Sequence, residues 1–228
     1  MSFILLVEQV LNGIQSGVML FLMAAGLTLI FGVMGLINLA HGSLYMVGAF
    51  AAAAVAAATG SFLLALVAAL AAAALAGCLI EMTVIRRLYD RDHLDQVLAT
   101  FALILIFSEG TRFFFGSFPL FLDMPDAVAG PVTLPGGIQY PLYRLVIIGV
   151  GLAIAAGLFL LIARTRIGIQ IRAGEADREM IAALGVDIAK LYTLIFALGA
   201  ALAGLAGALV GAIQSGQVGM GEPGLILA

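Results

Sequence analysis

The sequence is short of charge. Only 10% of its 228 residues are Asp, Glu, Lys or Arg, and 64% are hydrophobic, whereas soluble domains average about 25% charged and about 45–50% apolar residues. The formal net charge is −3, which leaves no basic surface for a phosphate backbone. These shortages exclude an ordinary soluble fold, a disordered chain and a nucleic-acid-binding protein, and they place the chain in a lipid bilayer.

Residues that build reactive or metal-binding sites are equally scarce. The one cysteine, Cys78, excludes a disulfide framework and a cysteine-based zinc site. The single lysine, Lys190, follows no glycine-rich loop, so the chain has no phosphate-binding P-loop. His41 and His93 are far apart and lie in no zinc-binding frame. We therefore expect a protein that is not an enzyme and that holds no metal or cofactor of its own.

Long uncharged runs take the place of these residues. Residues 9–80 contain no Asp, Glu, Lys or Arg, and one membrane span needs about 20 apolar residues. We predict an all-α polytopic membrane helical bundle with about six spans in one domain covering residues 1–228. The apolar run 225–228 predicts that further spans follow. Helix-breaking residues and charged residues separate the six predicted spans, which lie at about 9–34, 42–58, 62–80, 95–115, 144–163 and 191–213.

The few basic residues predict the orientation. The connection 81–95 carries three Lys or Arg residues and the connection 164–190 carries five, against only Arg112 and Arg144 on the other side. Because cytoplasmic loops are enriched in Lys and Arg, we predict that both connections are cytoplasmic and that the N-terminus lies outside. Glu109, three residues before Arg112, is expected to neutralise it.

The segment 116–143 is then external, and it holds five of the six prolines. Two short apolar stretches flank Pro135-Gly136-Gly137, and this pattern predicts a small hairpin. A structured connection is the simpler interpretation. A docking surface for an external partner, with Asp123 and Asp126 as an acidic rim, is the alternative.

Small residues recur at four-residue spacing in three of the spans. In lipid such residues allow helix backbones to approach closely, so each group predicts tight packing. The groups are Gly13 and Gly17; Gly149, Ala153 and Gly157; and Ala203, Gly207 and Gly211.

The first candidate site is the sequence Asn38-Leu39-Ala40-His41-Gly42-Ser43 between the first two spans. Polar side chains at membrane depth are costly and usually face a cavity or the bundle interior. Asn38, His41 and Gly42 are therefore candidates for a translocation path beside a helix break. The alternative is a short cytoplasmic turn in which Asn38 caps the next helix.

The second candidate site is the cytoplasmic connection 164–190. Ala173, Ala176, Met180 and Leu184 recur at helical spacing, and Gly185 follows as a helix stop. This pattern predicts a short amphipathic helix outside the membrane. Its acidic residues disfavour an anionic lipid surface, so we favour a coupling helix that contacts a soluble motor protein.

Both sites resemble one known family. Residues 38–49 closely resemble the N-terminal signature of the branched-chain amino-acid ABC transporter permeases. Arg172-Ala173, Asp177, Ala182 and Leu184-Gly185-Val186 resemble the cytoplasmic coupling loop of that family, and the glycine-rich stretch 216–223 resembles it as well. The likeness covers essentially the whole chain.

The resemblance implies a permease of the bacterial inner membrane that imports leucine, isoleucine, valine or related small amino acids and amides by alternating access. Implied partners are a homologous second permease, two cytoplasmic ATPases that bind the ATP, and a periplasmic substrate-binding protein. The residues it places in the coupling loop are Arg172, Asp177, Ala182 and Gly185, and those near the pathway or its packing are Asn38, His41 and Gly42.

Two other functions stay open at this point. A self-contained facilitator or channel for a small polar solute, such as urea or an amide, would need its own selectivity site and no motor contact. A non-transporting assembly protein would carry no flux under any condition. The coupling-loop pattern favours the importer over both.

Overall fold

A computed structural model describes residues 3–227, and over this range the chain forms ten α-helices and one β-hairpin. Six helices are long and apolar enough to cross a membrane, which confirms the prediction of a polytopic helical membrane protein. They are α1 (Phe3–Met34), α2 (His41–Thr59), α3 (Phe62–Thr83), α4 (His93–Phe115), α6 (Leu142–Arg164) and α9 (Ile188–Gln214). The shorter helices are α5 (Asp126–Ala129), α7 (Arg166–Ala176), α8 (Arg178–Ala183) and α10 (Gly221–Leu227), and a 3₁₀ turn covers Ile85–Arg87.

The hairpin predicted around Pro135-Gly136-Gly137 is confirmed. Strand β1 (Pro131–Leu134) pairs antiparallel with β2 (Ile138–Pro141). The Tyr140 hydroxyl donates a hydrogen bond to Oδ1 of Asn12 at 3.0 Å, and Arg144 donates to the same oxygen. The hairpin is thereby fixed against the first part of α1, and we call this side of the bundle the hairpin end.

Helix α9 lies at the centre of the bundle. It is the most buried of the six long helices, and it packs against α1, α2 and α3. Its buried side chains include Ile195, Phe196, Ala203 and Leu209. Helices α4 and α6 lie at the periphery, and most of their surface faces away from the rest of the chain.

Small residues bring α2 and α9 into backbone contact. A Cβ atom on Gly48 would lie 2.2 Å from the Gly204 carbonyl oxygen, and one on Gly207 would lie 2.0 Å from that of Tyr45. Tight packing is therefore confirmed for the α9 group. For the glycines of the α1 and α6 groups, the prediction of tight packing is wrong within this chain. They lie on outward-facing sides of their helices and have open space around them: Gly13, Gly17, Gly149 and Gly157.

A buried carboxylate is the centre of a hydrogen-bond cluster on the side of the bundle opposite the hairpin end. Glu81, whose side chain is fully buried, accepts hydrogen bonds from Arg86 at 3.0 and 3.1 Å, from Tyr89 at 2.6 Å and from Thr193 at 2.6 Å. Burial, and then the hydrogen bond to Glu81, raises the pKa of Tyr89, so its phenol remains a proton donor. This cluster joins α3 to α9. We call this side, which carries residues 84–92 and 165–187, the basic end.

Candidate functional site

The connection between α1 and α2 returns into the bundle before α2 begins. A Cβ atom on Gly26 would lie 3.1 Å from Nε2 of His41. Gly26 is eight residues before Met34, the last residue of α1, which corresponds to about 12 Å along the helix. Helix α2 therefore starts well inside the span of α1. We call residues 35–41 the polar turn.

Two side chains of the polar turn are almost completely buried, Asn38 at 1% and His41 at 0% exposure. Oδ1 of Asn38 accepts a hydrogen bond from the Ala40 N–H at 3.1 Å. Nδ2 of Asn38 has no hydrogen-bond partner among the described residues, and the ring nitrogens of His41 have none of good geometry, although the ring lies beside the backbone of Met23. Buried groups of this kind cost about 1–3 kcal/mol each when nothing satisfies them, so a water, a ligand or a second conformation is needed at this position.

The prediction that Asn38 caps the next helix is wrong. The residue that precedes α2 in the capping position is Ala40, and no side chain caps that helix. Asn38 lies two residues before this position, and its side chain accepts the hydrogen bond of the Ala40 N–H within the turn instead. The interpretation as a surface turn fails with it, since Asn38 and His41 are enclosed by the bundle.

A second irregular segment, residues 215–220, follows α9, and we call it the return segment. Ser215, with a φ of 65°, ends the helix and reverses the chain. Gly216 then exchanges two backbone hydrogen bonds with Leu120, at 2.7 and 3.0 Å. The segment 116–125 is thus tied to the end of α9.

The return segment runs back along α2 towards the polar turn. The Gly219 N–H donates to Sδ of Met46 at 3.3 Å. Further on, a Cβ atom on Gly221 would lie 1.8 Å from the Gly42 carbonyl oxygen, and one on Gly42 would lie 2.6 Å from that of Gly221. Only glycine fits at either position. Irregular backbone at membrane depth is tolerated where it is packed in protein or lines a cavity.

The coupling-loop candidates lie at the basic end, on two helices rather than one. Helix α7 ends at Ala176, and Asp177 has an extended backbone. The Asp177 carboxylate accepts hydrogen bonds from the N–H groups of Glu179 and Met180, at 3.0 and 2.9 Å, and starts α8. The predicted single helix through 173–184 is therefore wrong, because a capping aspartate interrupts it.

Helix α8 presents apolar side chains to the outside. Ile181 is buried against the bundle, whereas Met180 is 62% exposed and Leu184 is 78% exposed. Ala182 lies on the exposed side as well. Gly185, with a φ of 89°, donates its N–H to the Ala182 carbonyl at 2.9 Å and ends the helix, so its role as a helix stop is confirmed.

Two arginines attach this region to its neighbours. Arg172 of α7 donates to the Ile162 carbonyl of α6. Arg178 of α8 contacts Asp90, in the connection between α3 and α4, at 3.3 Å. At the other end of α4, the predicted pair of Glu109 and Arg112 is confirmed, with 2.7 Å between the charged atoms.

A short chain of contacts joins α7 to the polar turn. A Cβ atom on Gly174 would lie 3.4 Å from Leu191 of α9 and 3.9 Å from Val33 of α1. The Tyr192 hydroxyl donates to the Val33 carbonyl at 3.4 Å. Val33 lies two residues before the polar turn begins, so the two candidate sites are separate and joined by packed residues.

Sequence reasoning missed the buried Glu81 cluster and the path of the return segment along α2. The glycines at 216, 219 and 221 were a signal for close backbone approach, although nothing in the sequence identifies α2 as the neighbour. Within residues 3–227, no three His, Cys, Asp or Glu side chains are grouped as metal ligands.

Comparison with known proteins gives a consistent result. Residues 9–223 match the family described as branched-chain amino acid transport system, permease component. The high-affinity branched-chain amino acid transport system permease protein BraD of Pseudomonas aeruginosa is 31% identical, over 96% of this chain and 73% of that protein. The LivH permease proteins of Escherichia coli K12 and Salmonella typhimurium are 28% and 27% identical, over 92% of this chain and 72% of each relative. No solved structure matches the chain.

Proposed function

The chain belongs to the family of branched-chain amino acid transport permease components, and from this we propose that it is the membrane permease subunit of an ATP-driven importer for branched-chain or related small amino acids. The observation that carries the proposal is the exposed apolar surface of α8. Met180 and Leu184 project from the basic end of a membrane bundle, where a soluble motor protein can reach them.

We propose that the chain works in a bacterial inner membrane with its basic end in the cytoplasm and its N-terminus outside. The distribution of Lys and Arg supports this orientation, since eight of the ten lie in residues 81–95 and 164–190, on the side of the basic end. The proposed partners are a homologous second permease, two cytoplasmic ATPases and a periplasmic substrate-binding protein. The ATPases supply the nucleotide chemistry.

In the proposed mechanism, Met180 and Leu184 insert into a groove of the ATPase, as an amphipathic helix does in a partner's groove. Closure of the ATPase pair on ATP moves α8, and α7 moves with it. Helix α7 transmits this movement to the end of α1, since the two helices pack together and Gly174 faces Val33.

The polar turn is the proposed moving part of the pathway. Asn38 and His41 carry buried polar groups without partners. A second conformation of the polar turn can therefore gain hydrogen bonds that this conformation lacks. Gly42 allows the return segment to lie directly against α2. A movement at Val33 is proposed to change this contact and to alternate access between the two sides.

The docking surface is tested by exchanging Met180 for aspartate. The permease is expressed with the ATPase subunits of its source organism and purified by a tag on the permease. Met180→Asp is expected to lose the ATPase, because burying an unpaired carboxylate in an apolar groove is costly. Met124→Asp, the same change at an exposed methionine on the segment 116–125, serves as the matched control and is expected to retain it.

Retention of the ATPase by both variants would contradict docking through α8. If the unaltered permease itself binds no ATPase, the result would favour the self-contained facilitator.

A further inference from the structure

The connection between α3 and α4, residues 84–92, is a firmly held segment of the basic end. Ile85 is fully buried. Nε2 of Gln96, a buried side chain of α4, donates to the backbone carbonyls of Leu88 and Arg91 at 3.1 Å each. Because buried hydrogen bonds are costly to lose, we expect this segment to move together with the start of α4.

Tyr89 attaches the same segment to α3 and α9. Its hydroxyl donates to one carboxylate oxygen of the buried Glu81 at 2.6 Å, and Thr193 of α9 donates to the other oxygen, also at 2.6 Å. The Tyr89 ring meets the Tyr192 ring of α9 edge-on, with 5.1 Å between the ring centroids. The Tyr192 hydroxyl in turn donates to the Val33 carbonyl of α1. Tyr89 therefore lies where three spans meet.

Asp90, the next residue, contacts α8. Its carboxylate lies 3.3 Å from the Arg178 guanidinium, and both side chains are exposed. Exposed pairs contribute little to stability, whereas charge-assisted hydrogen bonds to a buried carboxylate are strong. The connection is thus bound firmly to the spans and only lightly to α8.

These contacts form a second route from α8 into the bundle, distinct from the packing of α7 on α1. The contact with α8 and the contact with Glu81 belong to adjacent residues, so a displacement at Asp90 acts on Tyr89 across one peptide unit. The route ends on α9, the central helix, whereas α7 leads to the end of α1.

We propose that movement of α8 reaches α3, α4 and α9 through this connection, with Asp90 as the contact to α8 and Tyr89 as the positioning residue that holds the connection on Glu81. The inference rests on the proposed function, in which an ATPase moves α8. Loss of the route leaves ATP hydrolysis in place and reduces the leucine transported for each ATP.

The test uses the complete transporter in proteoliposomes with ATP inside and loaded binding protein outside, and it measures leucine transported per ATP hydrolysed. Tyr89→Phe keeps the ring contact with Tyr192 and removes the hydroxyl. It is expected to lower the ratio about fivefold, the size of one lost hydrogen bond, while the ATPase stays bound. Tyr143→Phe is the matched control, because it removes a buried hydroxyl hydrogen bond to the Leu209 carbonyl away from the route. It is expected to leave the ratio unchanged.

An exchange of charges tests the contact with α8 and covers the case in which Tyr89→Phe fails to assemble. Asp90→Arg places a second cation beside Arg178 and is expected to lower the ratio about twofold, as for an exposed pair. Combining it with Arg178→Asp restores opposite charges and is expected to recover the ratio. Asp92→Arg, the same change at a neighbouring exposed aspartate, is the control and is expected to have no effect.

An unchanged ratio in an assembled Tyr89→Phe variant would overturn the inference. An unchanged ratio in Asp90→Arg would do the same, and so would failure of the double variant to recover what Asp90→Arg loses. All three results would leave the proposed function in place. Absence of leucine, isoleucine or valine transport by the unaltered complex would instead count against the proposed function.

Discussion

At the scale of single residues, the polar groups of the spans differ in their burial and hydrogen bonding, and three arrangements occur among those described above. Glu81 is enclosed and fully hydrogen-bonded, and Glu109 is paired with Arg112 on an outward-facing surface. Asn38 and His41 are enclosed but retain unpaired nitrogens. The Glu81 arrangement stabilises the fold, and the exposed Glu109 pair contributes little. The nitrogens of Asn38 and His41 need an ordered water, a ligand or a second conformation to satisfy them.

Glu81→Ala is predicted to destabilise the basic end. The change leaves the Tyr89 hydroxyl without its acceptor and the Arg86 guanidinium without its carboxylate, whereas Thr193 keeps the Ala189 carbonyl, and the expected loss is about 2 kcal/mol. Thermal unfolding of the detergent-solubilised protein measures it. Glu109→Ala removes an exposed pair and is the control, with little expected effect. Equal midpoints for the two variants would show that the Glu81 cluster has no structural importance.

At the scale of elements, the break between α7 and α8 separates the helix that packs on the bundle from the helix that exposes an apolar surface. Helix α7 is bound to α6 through Arg172 and lies on α1 and α9 through Gly174. Helix α8 is bound to the connection between α3 and α4 through Arg178 and exposes Met180. A single straight helix could not make both sets of contacts, so the capping by Asp177 determines where the apolar surface points.

Asp177→Ala is therefore predicted to weaken ATP-driven uptake while membrane insertion remains normal. Loss of an N-cap costs about 1 kcal/mol, and the first turn of α8 is expected to fray. Asp177→Asn is the matched control, because an asparagine side chain also caps helices. Hydrogen exchange at residues 178–183 reports the fraying directly. Identical exchange and uptake in the two variants would contradict this role.

At the scale of the whole molecule, the sequence predicts the number of spans, the hairpin and the helix stop at Gly185. Each of these follows from local signals: uncharged length, a Pro-Gly-Gly turn and a glycine after a periodic run. The depth of the polar turn was not predictable, because it depends on the close approach of Gly26 of α1 to both the His41 ring and the Gly199 carbonyl of α9. The break at Asp177 was missed because its apolar neighbours keep helical spacing across it.

Packing by small residues shows the same limit. The groups at four-residue spacing are similar on α1, α6 and α9. Among the described residues, Gly207 of the α9 group lies against the backbone of α2, whereas the glycines of the α1 and α6 groups have open space around them. Periodicity identifies a face that permits close approach, and the position of the helix in the bundle decides whether another helix occupies that face. Helix α9 is central, whereas α6 is peripheral.

The most direct test of the account is uptake of radiolabelled leucine into proteoliposomes that contain this permease, its partner permease and the ATPases, with loaded binding protein outside. The account predicts uptake that requires ATP inside the vesicles and that disappears with Met180→Asp. Equal uptake with and without ATP would contradict it and would identify a self-contained facilitator.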